Sequence, residues 1–379
     1  MNRTLNLPKL LKNTSYFLFG ARGTGKSYLI RNTLASEVDY INLLSSKVFL
    51  ELQHNPSELE NYITKETVVI DEVQRIPELL NEVHRLIEEK NLIFLLTGSS
   101  ARSLKKKGVN LLAARAFKAE MLPLTWHEIN RDGQFDLDKY LLVGGLPMAY
   151  LENNALEYLY NYVETYLKEE IQAEALVRNL SNYHRFLNYA ASRNTEIINF
   201  TKVGNNAQLS PNTVRDYYQI LEDTLIGKML PCWKKSTKRK SISSAKFYFF
   251  DAGVVNALKR VESLPEAGSL YGYAFEQFIF QELTAYLSYN KIRKELTFWR
   301  SKNDQEVDFL IGDEVAIEVK STKKIIKSDQ KGLIALMEEK IWTHTLLVSR
   351  DKVLKQNDNG IIQIYWKDFL ENLWAGKYL

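Results

Sequence analysis

The sequence is poor in the residues that build covalent or metal frameworks. It has one cysteine, Cys232, in 379 residues. That excludes an internal disulfide and any cysteine-built zinc or iron–sulfur site, and it fits a reducing compartment. The five histidines (His54, His84, His127, His184 and His344) show no metal-ligand spacing. No apolar run reaches the roughly 18 residues of a membrane span. The opening MNRTLNLPKLLKN lacks the apolar segment of a signal peptide, which predicts a cytoplasmic protein. An excess of charge is missing too. Lys and Arg total 50 against 46 Asp and Glu, a net charge of +4. This excludes a surface that attracts phosphate everywhere, so any nucleic-acid contact must come from a local patch.

What is present is globular. The chain is 45% hydrophobic and 25% charged, which argues against long disorder. At roughly 100–200 residues per domain, its length implies two or three domains. In residues 1–132, short apolar runs alternate with helical patterns: Tyr16–Phe19, Asp39–Leu44, Thr67–Ile70, Leu92–Leu96 and about Ala116–Leu122. That alternation predicts an α/β fold with a parallel sheet covered by helices. Residues 133–182 read as a helical lid or linker, interrupted at Gly144-Gly145-Leu146-Pro147. Residues 183–262 read as a winged-helix-like unit ending in a strand, Lys246–Phe250. Residues 263–379 begin with a long helix and continue into a strand hairpin, a helix and a further strand.

Gly20-Ala21-Arg22-Gly23-Thr24-Gly25-Lys26-Ser27 fits G-x-x-x-x-G-K-S. An apolar run precedes it and a helical pattern follows, which is the context the motif requires. Glycines let the backbone curl so that successive N–H groups face phosphate oxygens. The helix N-terminus adds partial positive charge. Lys26 is expected to reach the β and γ phosphates of ATP, and Ser27 to coordinate Mg²⁺. Val68-Val69-Ile70-Asp71-Glu72 is an apolar strand ending in two acids. Asp71 is expected to hold Mg²⁺ with Ser27, and Glu72 to act as general base toward the attacking water. The strand Leu92–Leu96 ends at Thr97-Gly98-Ser99-Ser100. Placed between the two motif strands, it would let Thr97, favoured over Ser99, orient that water. Arg102 or Arg115, with Arg115 favoured, is the candidate arginine finger in its own subunit or a neighbour.

FLFGARGTGKS, VVIDEVQRIPELL, LLTGSSARSL and LLAARAFKAEMLPLTWHEI resemble AAA-type P-loop ATPases of bacteria and archaea. The resemblance continues through LLVGGLPMAYLE, DAGVVNAL and FWRSKNDQEVDFLIGDEVAIEVKS. It implies an N-terminal ATPase, a winged-helix-like middle and a C-terminal domain similar to restriction endonucleases. It also implies assembly as a homo-oligomer, because such sites usually borrow an arginine from a neighbour.

The C-terminal hairpin can be read independently. Glu306–Ile311 and Val315–Lys320 both alternate, with apolar odd positions. Pairing Ile311 with Val315 sets Phe309 opposite Ile317 and Val307 opposite Val319. Asp308 then lies opposite Glu318, and Glu306 opposite Lys320. Glu276, in line with Phe280, Leu283 and Leu287 on the preceding helix, would face the same sheet. Asp308 and Glu318, with Glu276 as a further ligand, would bind Mg²⁺, and Lys320 would position or deprotonate water. The arrangement resembles the PD-(D/E)XK nuclease core.

In the middle segment, Ser210-Pro211 opens a helix with an apolar stripe at Val214, Tyr217, Tyr218, Leu221 and Leu225. Asn212, Thr213, Arg215 and Gln219 face away, as on a helix laid in a DNA groove. Lys234–Lys240 holds five cations in seven residues, a candidate wing tip touching phosphates. A second basic run is Lys105–Lys107. The sequence therefore predicts an ATP-hydrolysing protein acting on nucleic acid, DNA favoured, with ATP gating a Mg²⁺-dependent nuclease. The alternative is a nucleotide-controlled switch with an inactive nuclease-like binding domain.

Overall fold

The computed structural model describes residues 2–98, 112, 115–131, 133–166 and 180–379. Ser99, Ser100, Arg102 and Lys105–Lys107 lie outside them. The chain divides into two compact units: Met1–Leu124 with Ile220–Ile226, and Thr125–Gln219 with Gly227–Leu379. Residues expected as three segments after residue 132 fall in the second unit, apart from Ile220–Ile226.

In the first unit, five apolar runs become strands. They are β1 (Ser15–Phe19), β2 (Asp39–Asn42), β3 (Thr67–Asp71), β4 (Ile93–Gly98) and β5 (Ala116–Glu120). Helix α1 (Lys26–Thr33) follows β1, α2 (Ser46–His54) follows β2, and α3 (Leu79–Lys90) follows β3. The strand order is β2-β3-β4-β1-β5, and every pair is parallel. A parallel sheet covered on both faces needs near-continuous apolar strands. Phe17, Leu18, Val68, Val69, Ile70, Phe94 and Leu95 are accordingly buried. β4 lies between β1 and β3, as expected, so their carboxyl ends meet at one edge. Crevices at such edges bind ligands.

The second unit opens with α4 (Trp126–Asn130) and α5 (Leu137–Val143). Helices α6 (Leu180–Ser192), α7 (Phe200–Ala207) and α8 (Pro211–Asp223) precede the antiparallel pair β6 (Gly227–Leu230) and β7 (Lys246–Phe249). Ser210 caps α8 by accepting from the Thr213 N–H at 3.1 Å. Tyr218 packs edge-on against Phe186 and Phe247, each at 4.9 Å between ring centres. Arg215 is exposed and stacks over Phe200 at 5.0 Å.

The Gly144–Pro147 interruption is a docking point. The carboxylate of Asp251, at the start of α9 (Ala252–Leu258), accepts the N–H of Gly145 at 2.7 Å and of Val254 at 3.1 Å. Gly144 has φ +72°, and a Cβ there would fall 2.1 Å from Asp251 Oδ1. Glycine is required on both counts.

Helix α10 (Ser269–Tyr289) then leads to a six-stranded sheet. Its strands are β8 (Leu296–Arg300), β9 (Glu306–Ile311), β10 (Val315–Lys320), β11 (His344–Ser349), β12 (Lys355–Gln356) and β13 (Ile362–Tyr365). The order is β12-β13-β11-β10-β9-β8. β10, β11 and β13 are parallel, while β8, β9 and β12 join antiparallel. Helix α11 (Lys331–Met337) sets Leu333 and Leu336 against Val307, Leu310, Ala316 and Leu347. Helix α12 (Trp366–Trp374) ends the chain's regular structure. Among the described residues, no helix is long and apolar enough to cross a membrane.

Residues 231–245 correct the expected wing. The segment runs along β8, the sheet's edge strand. Trp233 N–H donates to Phe298 at 2.7 Å, and Ile242 N–H to Arg300 at 3.1 Å. Lys235 pairs with Asp313 at 2.6 Å and Arg239 with Glu338 at 2.5 Å. Covering an edge strand blocks pairing with other chains. Two of the five cations are thereby spent inside the unit, while Lys234, Lys238 and Lys240 are exposed.

Candidate functional site

The first site forms where β1, β3 and β4 end. Gly23 (φ +82°) and Gly25 (φ +96°) curl the loop between β1 and α1 through the left-handed region. Gly20 is needed for a different reason, since a Cβ there would lie 2.4 Å from the Met121 carbonyl oxygen. Lys26 is buried, and its ammonium donates to the carbonyls of Gly20 at 2.6 Å and Ala21 at 3.4 Å. Thr24 Oγ1 donates to the Ala21 carbonyl at 2.8 Å. Arg3 fixes the loop from outside, donating to the carbonyls of Thr24 at 2.8 Å and Leu122 at 2.6 Å. Arg22 is exposed.

Ser27 Oγ donates to Asp71 Oδ2 at 3.2 Å, so the two residues expected to share Mg²⁺ are adjacent. The Tyr40 hydroxyl donates to the same oxygen. Burial and then the Asp71 carboxylate push the Tyr40 phenol up to about 12. Thr97, fully buried, donates to Asp71 Oδ1 and accepts the Glu72 N–H at 3.1 Å. The hydroxyl expected to orient water is thus committed to the two acids. Glu72 has φ +64°, ψ +45°, unusual for a non-glycine residue. Such strain costs about 1–3 kcal/mol and collects at functional sites. Here it follows directly on the last residue of β3.

Arg115 is placed elsewhere. It precedes β5, whose first residue, Ala116, is level with Ser15 at the start of β1. The loop begins at the other end of that five-residue strand, roughly 16 Å away at about 3.3 Å per residue. The Arg115 guanidinium pairs with Glu88. The expected reach to the γ-phosphate of its own subunit is therefore corrected.

The second cluster lies at the start of β9. The predicted register is observed for Val315–Ile311 and Ile317–Phe309. Beyond it the strands depart from the expected pairing. Asp308 Oδ2 accepts the Val319 N–H at 2.9 Å, and Glu306 pairs with Arg300 on β8 at 2.8 Å rather than with Lys320. Lys320 pairs instead with Glu318, two residues away. Glu276 turns into the unit from α10 as expected, with Phe280, Leu283 and Leu287 buried along its stripe. It accepts the Tyr248 hydroxyl at 2.5 Å.

The sequence reading missed Lys246, the first residue of β7. Its ammonium lies 2.7 Å from Glu306 Oε1, 3.0 Å from Glu276 Oε1 and 3.5 Å from Asp308 Oδ1. The side chain is 4% exposed. Burial opposes its charge, but the surrounding carboxylates outweigh burial and hold its pKa well above that of a free lysine. Burial pushes Glu276 up to about 7, against the pull of Lys246. Burial and then Asp308 push Glu318 well above the carboxylate range. One signal was available: Lys246 and Tyr248 share a strand face in an otherwise aromatic run, and a lysine there needs buried partners. Among the described residues, no group of three or more His, Cys, Asp or Glu is arranged to hold a metal ion. As they stand, Glu276, Asp308 and Glu318 do not fit Mg²⁺.

Residues 12–130 match the family model described as "AAA domain". This segment is of AAA type. Residues 134–264 and 271–368 match two families described as domains of unknown function, DUF8612 and DUF4143. An uncharacterized protein of Methanocaldococcus jannaschii, MJ1544, is 24% identical, over 96% of this chain and 87% of its own length. Among solved structures, the Aeropyrum pernix Orc1 protein in complex with DNA is 12% identical. The match covers 67% of this chain and 89% of that one, with a TM-score of 0.29. Protein VC1899 of Vibrio cholerae is 11% identical over 96% and 97% of the two chains, with a TM-score of 0.22. At such TM-scores neither likeness bears on fold or function.

Proposed function

We propose that the chain is an ATP-hydrolysing switch that acts on nucleic acid, with nucleotide state controlling its C-terminal unit. The observation that carries the ATPase reading is the Ser27–Asp71–Thr97–Glu72 chain of hydrogen bonds beside the glycine loop. Lys26 would bind the β and γ phosphates, and Ser27 and Asp71 would hold Mg²⁺. Bound there, Mg²⁺ supplies charge neutralisation on the phosphates. Glu72 takes the proton of a water whose oxygen attacks the γ-phosphorus as the bond to the bridging oxygen of ADP breaks.

Nucleic acid as the target rests on the exposed Lys234, Lys238 and Lys240 and on the polar outer face of α8. For the C-terminal unit, binding without cleavage is favoured over Mg²⁺-dependent cleavage, because an ammonium group sits among the acids. The strand register and the convergence of Glu276, Asp308, Glu318 and Lys320 support a nuclease-like origin. Assembly into a homo-oligomer, with Arg115 serving a neighbour, belongs to the same proposal. The test is to incubate labelled single- and double-stranded DNA and RNA with the protein, with and without Mg·ATP. Nucleotide-dependent binding with intact strands is expected. ATP turnover with no nucleic-acid binding in any nucleotide state would contradict the reading.

A further inference from the structure

We propose that Lys246 is a built-in cation standing where a divalent metal would bind, and that its charge is what keeps Mg²⁺ or Mn²⁺ off Glu276, Asp308 and Glu318. The inference rests on reading the cluster as a nuclease-like site. It adds what excludes the metal.

Two independent features support it. The first is the ammonium's position. Its three donors face three carboxylates, Glu276, Glu306 and Asp308, within 2.7–3.5 Å. Lysine offers three donors and no acceptor, so a second cation at these carboxylates meets its repulsion and finds their inward oxygens already paired. The second feature is an orphaned oxygen. Glu318 is 7% exposed, and its Oε2 is buried without a hydrogen-bond partner, while Oε1 pairs with Lys320. A buried carboxylate oxygen without a donor is costly. A cation held jointly with Asp308 would satisfy it, and carboxylates with water are the ligands Mg²⁺ and Mn²⁺ prefer.

The plug and the acids come from different parts of the chain. The acids lie on α10, β9 and β10. Lys246 lies on the β6–β7 ribbon, paired with Leu230 and bridged to Ile197. The ammonium is therefore fixed by strand pairing, independently of the elements that carry the acids.

The test uses the full chain without nucleotide and measures Mn²⁺ binding by electron paramagnetic resonance. K246M keeps most of the aliphatic stem and removes the charge. Wild type is expected to show no binding that D308N abolishes. K246M is expected to gain one Mn²⁺ per chain, at least about tenfold tighter than wild type, and K246M/D308N to lose it. In thermal unfolding, K246M is expected to melt below wild type and to regain stability with Mn²⁺. Either of two results overturns the proposal: K246M binding Mn²⁺ no better than wild type, or wild type binding Mn²⁺ in a D308N-sensitive way. The second needs no folded K246M. Nucleic-acid binding and ATP turnover, measured alongside, report separately on the proposed function. Their absence with the metal result intact would refute that function and leave the plug standing.

Discussion

Replacing Thr97 by valine tests the chemistry of the first site at a single atom. The shape stays nearly the same, but the hydroxyl is lost. That hydroxyl donates to Asp71 Oδ1 and accepts the Glu72 N–H, and both Thr97 and Asp71 are buried. Two polar groups would lose their partner together. An unsatisfied buried group costs about 1–3 kcal/mol, so the two together cost about 2–6 kcal/mol. Part of it appears as lost stability. Part appears in the transition state, because the Glu72 N–H helps hold that residue at φ +64°. Released, Glu72 relaxes toward ordinary strand geometry and its carboxylate leaves the attacking water. If about 2–3 kcal/mol falls on the transition state, kcat drops roughly 30- to 150-fold. KM for ATP stays within about threefold, since Lys26 and the loop are untouched. Steady-state ATP hydrolysis of wild type, T97V and T97S reads this, with T97S recovering most of the loss. A T97V enzyme with unchanged kcat, or with raised KM alone, would refute the assignment of Thr97 as the group that positions both acids.

Other outcomes follow from the second unit. D251A removes the acceptor of the Gly145 and Val254 N–H groups, and chemical denaturation is expected to show a loss of about 2–4 kcal/mol. Glu282 on α10 is fully buried, accepting the Trp126 N–H at 2.5 Å and the Trp374 indole at 2.9 Å, and burial pushes it up to about 8. Its folded pKa lies above its unfolded value of 4.5, so its contribution is greatest below pH 4.5 and is lost as pH rises toward 8. Urea titrations should therefore show wild type losing stability relative to E282Q over that window, by at most about 1.4 kcal/mol per pH unit. Replacing Lys234, Lys238 and Lys240 together by alanine is expected to weaken nucleic-acid binding without sequence preference, and to reduce the slope of log K against log salt by about 2–3.

The sequence was legible where a local pattern carries its own geometry. The glycine loop, the apolar strand ending in Asp71 and the hairpin register at Val315–Ile311 are each set by neighbouring residues. So is the cap at Ser210. What was not legible depends on distant partners. Lys246 looked like the start of a strand, and its role exists only because Glu276, Glu306 and Asp308 converge on it from α10 and β9. The basic run 234–240 reads in sequence as a wing tip touching phosphates. Its fate is set by the open edge of β8 and by Asp313 and Glu338, far along the chain. Arg115 looked close to the nucleotide because it follows the β4 motif. Parallel topology instead sends it to the opposite end of the sheet. The strained backbone of Glu72 has no sequence signature, since glutamate ordinarily avoids φ > 0.

The account's central claim is that Glu72 activates water at an ATP site built on Lys26. The most direct measurement pairs ATP binding with single-turnover hydrolysis for wild type, E72Q and K26A. E72Q is expected to bind ATP with near wild-type affinity and to hydrolyse it at least about a hundredfold more slowly. K26A is expected to lose binding. An E72Q protein that hydrolyses ATP at the wild-type rate would contradict the account.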